Sequence, residues 1–168
     1  MMLKPRHSRF RVRGVAAVEM ALILIPLALL LTGTFNFGLA MYRYDALVKG
    51  VRAGSRYLSY QTPGSNYADA KALVMCGDPG IAPASCPEAD RIPGLTEGMI
   101  SICDRTNAGA CGGEPHAGVA FGTPPDNGRV DLVTVQVTGY PFTFSIPFID
   151  LGTITFGPIK STMLQGAQ

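Results

Sequence analysis

The most uneven feature of the chain is an apolar run over residues 20–42, within which no Asp, Glu, Lys or Arg occurs. About 23 residues make roughly 34 Å of helix at about 1.5 Å per residue, which crosses a hydrocarbon core of about 30 Å with some tilt. Pro26 interrupts the run, and Gly33 and Gly38 follow it. All three are tolerated in membrane helices, and Pro26 predicts a mild kink. After residue 42 the pattern stays helical but becomes two-sided. Leu47, Val51, Gly54 and Leu58 fall on one face, while Asp45, Lys49, Arg52 and Arg56 recur at three- and four-residue spacing on another. Asp45 and Lys49 form an i,i+4 pair. Ala46, Gly50 and Gly54 make a small-residue row that permits close backbone approach. Such a row suits an amphipathic helix lying on its own domain, and also a helix-to-helix contact between subunits near the membrane.

Beyond residue 61 the pattern breaks into short elements. Residues 61–66 read as a loop. Residues 67–75 read as a short helix with Ser65 or Asn66 as N-cap and Gly77 near its end. Residues 99–103 suggest a strand. Thr123, Pro124, Pro125, Asp126, Asn127 and Gly128 form a strong turn signal, and residues 129–138 follow as a strand. There Val133, Val135 and Val137 alternate with Thr134, Gln136 and Thr138, giving one buried face. Phe142, Phe144, Ile146 and Phe148 repeat the alternation, but Pro147 confines that segment to a sheet edge or a loop. Ile154 and Phe156, then residues 161–164, suggest a final strand pair split by Gly157 and Pro158.

Composition sharpens this picture in two places. Charged residues are 15% of the 168, against roughly 25% in ordinary soluble domains. The net charge of +2 hides a cluster: Lys4, Arg6, Arg9, Arg11 and Arg13 crowd the first fourteen residues, which contain no acid. With an apolar run directly behind it, the cluster reads as a cytoplasmic membrane flank, in preference to a nucleic-acid contact. A cleaved secretory signal would need a shorter apolar core, and the only small-residue site near its end is Gly38, Leu39, Ala40. Gly and Pro concentrate after Gln61, so the middle of the chain is loop-rich.

Four cysteines, Cys76, Cys86, Cys103 and Cys111, lie in that loop-rich part. Neither sequence pair has the short separation typical of zinc ligands, and no suitable His lies close by, so no metal is expected. Disulfides suit an oxidising periplasm. Of the three possible pairings, Cys76–Cys86 with Cys103–Cys111 is preferred because short loops close easily. Basic residues stand on both sides of the span (Arg43, Lys49, Arg52 and Arg56 follow it), so the positive-inside bias is slight. The cysteines and the leader decide for a C-terminal part outside the cytoplasm.

No catalytic constellation is visible. His7 lies in the leader, and His116 sits in a Gly/Pro-rich loop with no nucleophile or paired acid beside it. Glu114 reads as a solvated loop carboxylate. Residues 109–113 are glycine-rich but lack the Lys-Ser/Thr and the strand–loop–helix setting of a phosphate loop. The expectation is a protein that is not an enzyme and takes no cofactor.

Glu19 narrows the reading. It stands at the start of the apolar run, where a charge moved towards the bilayer centre costs about 2.5–3.5 kcal/mol, so it needs either the interface or a partner. The stretch Arg13, Gly14, Val15, Ala16, Ala17, Val18, Glu19, Met20 resembles a prepilin-peptidase site of the type IV pilin superfamily. The wider pattern adds Ala21 and Leu22, then Leu24, Ile25, Pro26 and Leu27, then Phe35, Asn36, Phe37 and Gly38, then Tyr42, and lastly Val51, Arg52, Ala53, Gly54, Ser55, Arg56 and Tyr57. In order and spacing this resembles the TadE-like family of Flp (Tad) pilus assembly, with Met20 in place of an aromatic and Asn36 in place of an acid. The resemblance implies a leader over residues 1–14, cleavage between Gly14 and Val15, and Glu19 as the fifth mature residue. Glu19 would there be placed to neutralise the new amine of a neighbouring subunit. It also implies an α+β, pilin-like fold. A long helix over residues 15–60, spanning the membrane at about 20–42, would pack on a small antiparallel sheet within a periplasmic part at residues 61–168. The function implied is a minor pseudopilin of the bacterial inner membrane, with other pilins, the Tad assembly machinery and prepilin peptidase as partners and no nucleic acid. A membrane-tethered periplasmic binding module, using the loops of residues 61–128, is the alternative.

Overall fold

The computed structural model describes residues 11–122, 128–146 and 149–166. Lys4, Arg6, His7 and Arg9 of the leader, turn residues 123–127, and Pro147 and Phe148 lie outside them. The architecture is α+β: a long N-terminal helix against small antiparallel sheets. Helix α1 (Arg11–Ser59) is 49 residues, about 74 Å long, and runs through Pro26 without a break. Residues 14–31 are all exposed. Just beyond this bare stretch three polar side chains bond back to the helix itself. Thr32 Oγ1 donates to the Ala28 carbonyl at 2.7 Å, Thr34 Oγ1 to Leu30 at 2.8 Å, and Asn36 Nδ2 to Thr32 at 2.9 Å. That back-bonding leaves the outer surface apolar.

The second half of α1 is the spine of a folded domain. Leu47, Val51 and Leu58 are fully buried, as their spacing predicts. Helix α2 (Tyr67–Cys76) crosses α1 at the small-residue row. A Cβ built on Gly50 would stand 2.8 Å from the Val74 carbonyl oxygen, and one on Gly54 2.9 Å from Val74 Cγ2. The row is thus filled from within the chain, so it is the domain reading of Gly50 and Gly54 that the structure supports and not a contact between subunits. Asn66 does occupy the N-cap position of α2, but in the left-handed region and without a capping bond. Its Nδ2 donates instead to Gln61 Oε1 at 2.7 Å. Gly77, with φ +77°, closes the helix by donating its amide to the Leu73 carbonyl at 2.9 Å.

Strand β3 (Gly128–Val137) organises the sheet. It pairs antiparallel with β1 (Ile100–Cys103) and, at its beginning, with β2 (Val119–Phe121); along its other edge it pairs with β6 (Ile159–Gln165). Val133, Val135 and Val137 point into the core with Ile100, Ile102, Leu95 and Tyr140. Thr134, on the face expected to be wet, is nevertheless buried. His116 covers it: the imidazole Nδ1 donates to the Glu114 carbonyl at 2.6 Å, and Nε2 takes the Thr134 hydroxyl at 3.0 Å. Thr162 Oγ1 lies 2.8 Å further along the same chain of hydroxyls.

Strand β4 (Pro141–Ile146) pairs with β5 (Ile149–Thr155) in a separate two-stranded sheet. The expected final pairing of β5 with the last strand is therefore incorrect. Gly157 and Pro158 do more than separate two partners: they carry the chain out of the hairpin and back to β3, where Ile159 and Ser161 face α1. Ser55 Oγ donates to Ser161 Oγ there at 2.9 Å.

The Gly50 contact gives a direct test. Ala for Gly inside a helix normally gains roughly 0.5–1 kcal/mol, whereas overpacking against fixed backbone costs roughly 1–3 kcal/mol. Gly50→Ala is expected to lower the thermal midpoint of the detergent-solubilised protein, and Gly33→Ala, which meets nothing within 4 Å, to leave it unchanged or raise it. Equal stabilisation by both would show that α2 does not press on Gly50.

Candidate functional site

The sequence-predicted site residues fall into two groups that the fold keeps far apart. Gly14, Val15 and Glu19 stand together near the start of α1, all exposed. Glu19 is four residues beyond Val15, about 6 Å along the helix, so an amine created at Val15 and the Glu19 carboxylate lie about one turn apart on one helix face. No described element packs on this end, and α1 has the length and composition to cross a membrane once. The Gly14–Val15 junction, a carboxylate and a bare apolar rod are arranged in sequence along one axis. What it offers is an exposed apolar surface for other helices or for lipid.

The cysteines lie at the opposite end, in the domain. Cys76 stands against Cys86, and Cys103 against Cys111, with Cα–Cα distances of 5.9 and 6.0 Å, within the span of a disulfide. Each pair staples a loop to a regular element: the first ties the end of α2 to the turn at Pro83, the second ties β1 to the turn at Ala108.

Between them lies a cluster that sequence inspection missed. Asp104, fully buried, follows Cys103 directly. Its Oδ2 accepts from the Gly64 amide and from the Tyr67 hydroxyl, both at 2.7 Å, and its Oδ1 accepts from the Thr106 amide at 2.8 Å and the Asn107 amide at 3.1 Å. Burial pushes this carboxyl up, but the hydrogen bonds from Thr106, Tyr67 and the Gly64 amide outweigh it and hold the group below the usual carboxylate range. Gly64 is required here, at φ +82° with Thr106 Oγ1 3.2 Å from where a Cβ would be. The only sequence signal was Asp-x-Thr-Asn after a strand, an Asx-turn pattern too common to single out. Glu114, the presumed loop carboxylate, is exposed but paired with Lys160 at 2.7 Å. Among the described residues, no three His, Cys, Asp or Glu side chains converge as a metal would require.

A family model described as TadE-like protein matches residues 14–56. The match begins on Gly14, takes in Glu19 and the whole apolar run, and ends at the Gly54–Arg56 segment, so it covers α1 and none of the sheet. No curated protein and no solved structure matches the chain.

Asp104→Ala would strand the Gly64, Thr106 and Asn107 donors, and an unsatisfied buried group costs about 1–3 kcal/mol. A drop of that size or larger in unfolding free energy is expected. The pH dependence follows from the lowered carboxyl. Its contribution is complete above the unfolded-chain value, near 4, and is lost as pH falls through the lower folded value. Wild type should therefore lose stability below about pH 4 more steeply than Asp104→Asn. Parallel acid profiles in urea or thermal unfolding would refute this role.

Proposed function

We propose that this chain is a membrane-anchored minor pseudopilin acting in the assembly of an Flp-type (Tad) pilus for adhesion or secretion. Its role is structural rather than enzymatic. It sits in a bacterial inner membrane with the leader cytoplasmic and the disulfide-stapled domain periplasmic. The observation that carries the reading is the TadE-like match over residues 14–56, which coincides with the exposed Gly14–Glu19 junction and the bare half of α1. In this reading prepilin peptidase cuts between Gly14 and Val15. The amine of one subunit then meets the Glu19 carboxylate of its neighbour in a poorly screened setting, where each charge lowers the penalty on the other. The apolar rod supplies contact with other pilins and with the assembly machinery, and the folded domain supplies what is presented outside.

Two experiments test this. Intact mass of the membrane-extracted protein from its own host is expected to begin at Val15; functional protein that retains Met1 would overturn it and leave the membrane-tethered binding module in its place. The second compares wild type, Glu19→Ala and Glu19→Asp. Glu19→Ala should insert at least as well as wild type, because a charge leaves the apolar run, and should still be cleaved, since Gly14 and the leader are intact. Piliation should be strongly reduced. Normal piliation by Glu19→Ala at normal protein level would reduce the carboxylate to an interfacial bystander.

A further inference from the structure

The end of the domain that faces the bare helix is built from three pieces of chain. The first is α1 itself around residues 35–44. Phe35, Phe37, Met41 and Tyr42 are exposed there, while Asn36 and Ala40, one turn apart, are only 5% and 8% exposed. Since residues 14–31 are all exposed, cover on α1 begins at this level. The elements packed against α1 are α2, β3, β6 and β4. The first three meet it around Gly50, Gly54 and Ser55, and β6 also shares a groove with Tyr44 and Val48. Strand β4 meets it lower down: the Arg43 guanidinium lies 5.2 Å over the Phe142 ring, and Phe156, where the hairpin ends, meets Tyr44 edge-on at 5.7 Å. The hairpin thus stands against α1 at Arg43 and Tyr44, where the apolar run ends. Asn36 lies about 10 Å below Arg43 along the helix.

The second piece is that hairpin, and it has two faces. Phe142 packs edge-on to Phe144 at 5.0 Å and stacks on Phe156 at 6.1 Å. Ile154, opposite Phe142 in register, is 52% exposed. On the other face the Thr143 and Thr153 hydroxyls lie 3.2 Å apart. Residues 141–156 contain no basic residue and one acid, Asp150. The third piece is the segment carrying Glu88, Asp90 and Arg91, which shares an open groove of about 360 Å³ with Tyr42 and Arg43.

Two constraints fix where these pieces sit if α1 crosses a bilayer. Arg43, Glu88, Asp90 and Arg91 share one level and cannot enter hydrocarbon cheaply, so that level stays among headgroups or in water. The hairpin meets α1 at this same level, at the edge of the apolar run. Yet a two-stranded sheet has open edges, and unpaired backbone groups keep such a sheet out of the hydrocarbon core. The headgroup–acyl boundary satisfies both limits. Aromatic rings favour that boundary, and interfacial anchors there set the depth and tilt of a single-pass helix.

We propose that the β4–β5 hairpin is a membrane-interface element. It lies in the headgroup–acyl boundary of the leaflet nearest the domain, presenting Ile154 to the lipid, and together with the exposed rings of Phe35, Phe37, Tyr42 and Tyr44 on α1 it seats the domain on a phospholipid surface. The proposal requires α1 to be in the bilayer and does not depend on a role in pili.

The chain contains no Trp, so each introduced Trp is a single reporter. The full chain is placed in vesicles of phosphatidylethanolamine and phosphatidylglycerol, either unbrominated or brominated on the acyl chains near the headgroup. Ile154→Trp and Phe144→Trp are expected to emit at short wavelength and to lose most of their emission to the brominated lipid. Tyr60→Trp, exposed at the far end of α1, is expected to lose none, and Phe35→Trp to be quenched as a control for the anchor. Circular dichroism identifies any variant that fails to fold, and Ile154, being exposed, tolerates the larger ring. Quenching of Phe35→Trp without quenching of Ile154→Trp would place the hairpin clear of the lipid and overturn the proposal. Short-wavelength emission from Ile154→Trp that is insensitive to bromine and rises with protein-to-lipid ratio would assign the surface to a second copy and overturn it equally. An unquenched Phe35→Trp would remove the anchor, and the proposal with it.

Discussion

One helix with two unlike halves, a bare apolar one and one buried by a domain, is the constraint from which the rest of this molecule follows. Backbone hydrogen bonds carry α1 through both halves, from Arg11 to Ser59, but the side chains demand different surroundings in each. In the first half nothing in the chain covers the apolar surface. Thr32, Thr34 and Asn36 turn their donors back onto the helix, which leaves Glu19, near its start, as the charged group of that half beyond Gly14. In the second half Leu47, Val51 and Leu58 must be buried by protein. Pro26 removes the amide that would have bonded to the Leu22 carbonyl, and it does so in the half where no domain packing depends on the helix line. The folded domain can therefore be small. It does not have to stabilise the whole helix, only to clasp the half whose apolar stripe it buries.

The clasp was partly legible in the sequence. Period and composition located the span, the buried stripe of α1, helix α2, and strands β1 and β3, because each has a local signal long enough to exceed its surroundings. The pairing of β5 was not legible. Its alternation is compatible with either neighbour, and only the three-dimensional position of Gly157 and Pro158 decides that β6 returns to β3 while β5 stays with β4. The burial of Thr134 was illegible for a related reason. A threonine on the outer face of a strand reads as wet until a residue eighteen positions earlier, His116, is brought over it with a matching acceptor.

The site divides in the same way. Gly14, Val15 and Glu19 are adjacent in sequence, so their relation is set by helix geometry and could be read directly. Asp104 could not, because its partners Gly64 and Tyr67 lie about forty residues away, and no local pattern announces a carboxylate that holds two loops. The small-residue row illustrates the opposite failure. Its meaning as a close-approach surface was plain, but the partner was ambiguous until α2 was found seated on Gly50 and Gly54. Local chemistry was visible in each case; what it was directed at was not.

The two ends of α1 are linked by length. From Arg43 back to Glu19 is about 24 residues, or roughly 36 Å of helix, shortened to about 34 Å by an average tilt of about 20°. The hydrocarbon core is about 30 Å thick. When Arg43 is held at the headgroups of one leaflet, Glu19 comes to rest at the boundary of the other, where water still reaches its carboxylate. The rest position is therefore compatible with an unpaired charge. Displacing the helix towards the domain side by a single turn, about 5.4 Å, moves the carboxylate into hydrocarbon. That displacement carries a penalty of about 2.5–3.5 kcal/mol unless a cation travels with it. A terminal amine of a second helix, staggered by about one turn, is a cation at the right height. In the proposed pseudopilin role Glu19 would then act on register: it would oppose movement of a lone helix out of the bilayer and cease to oppose it when a partner with a free amine is in step.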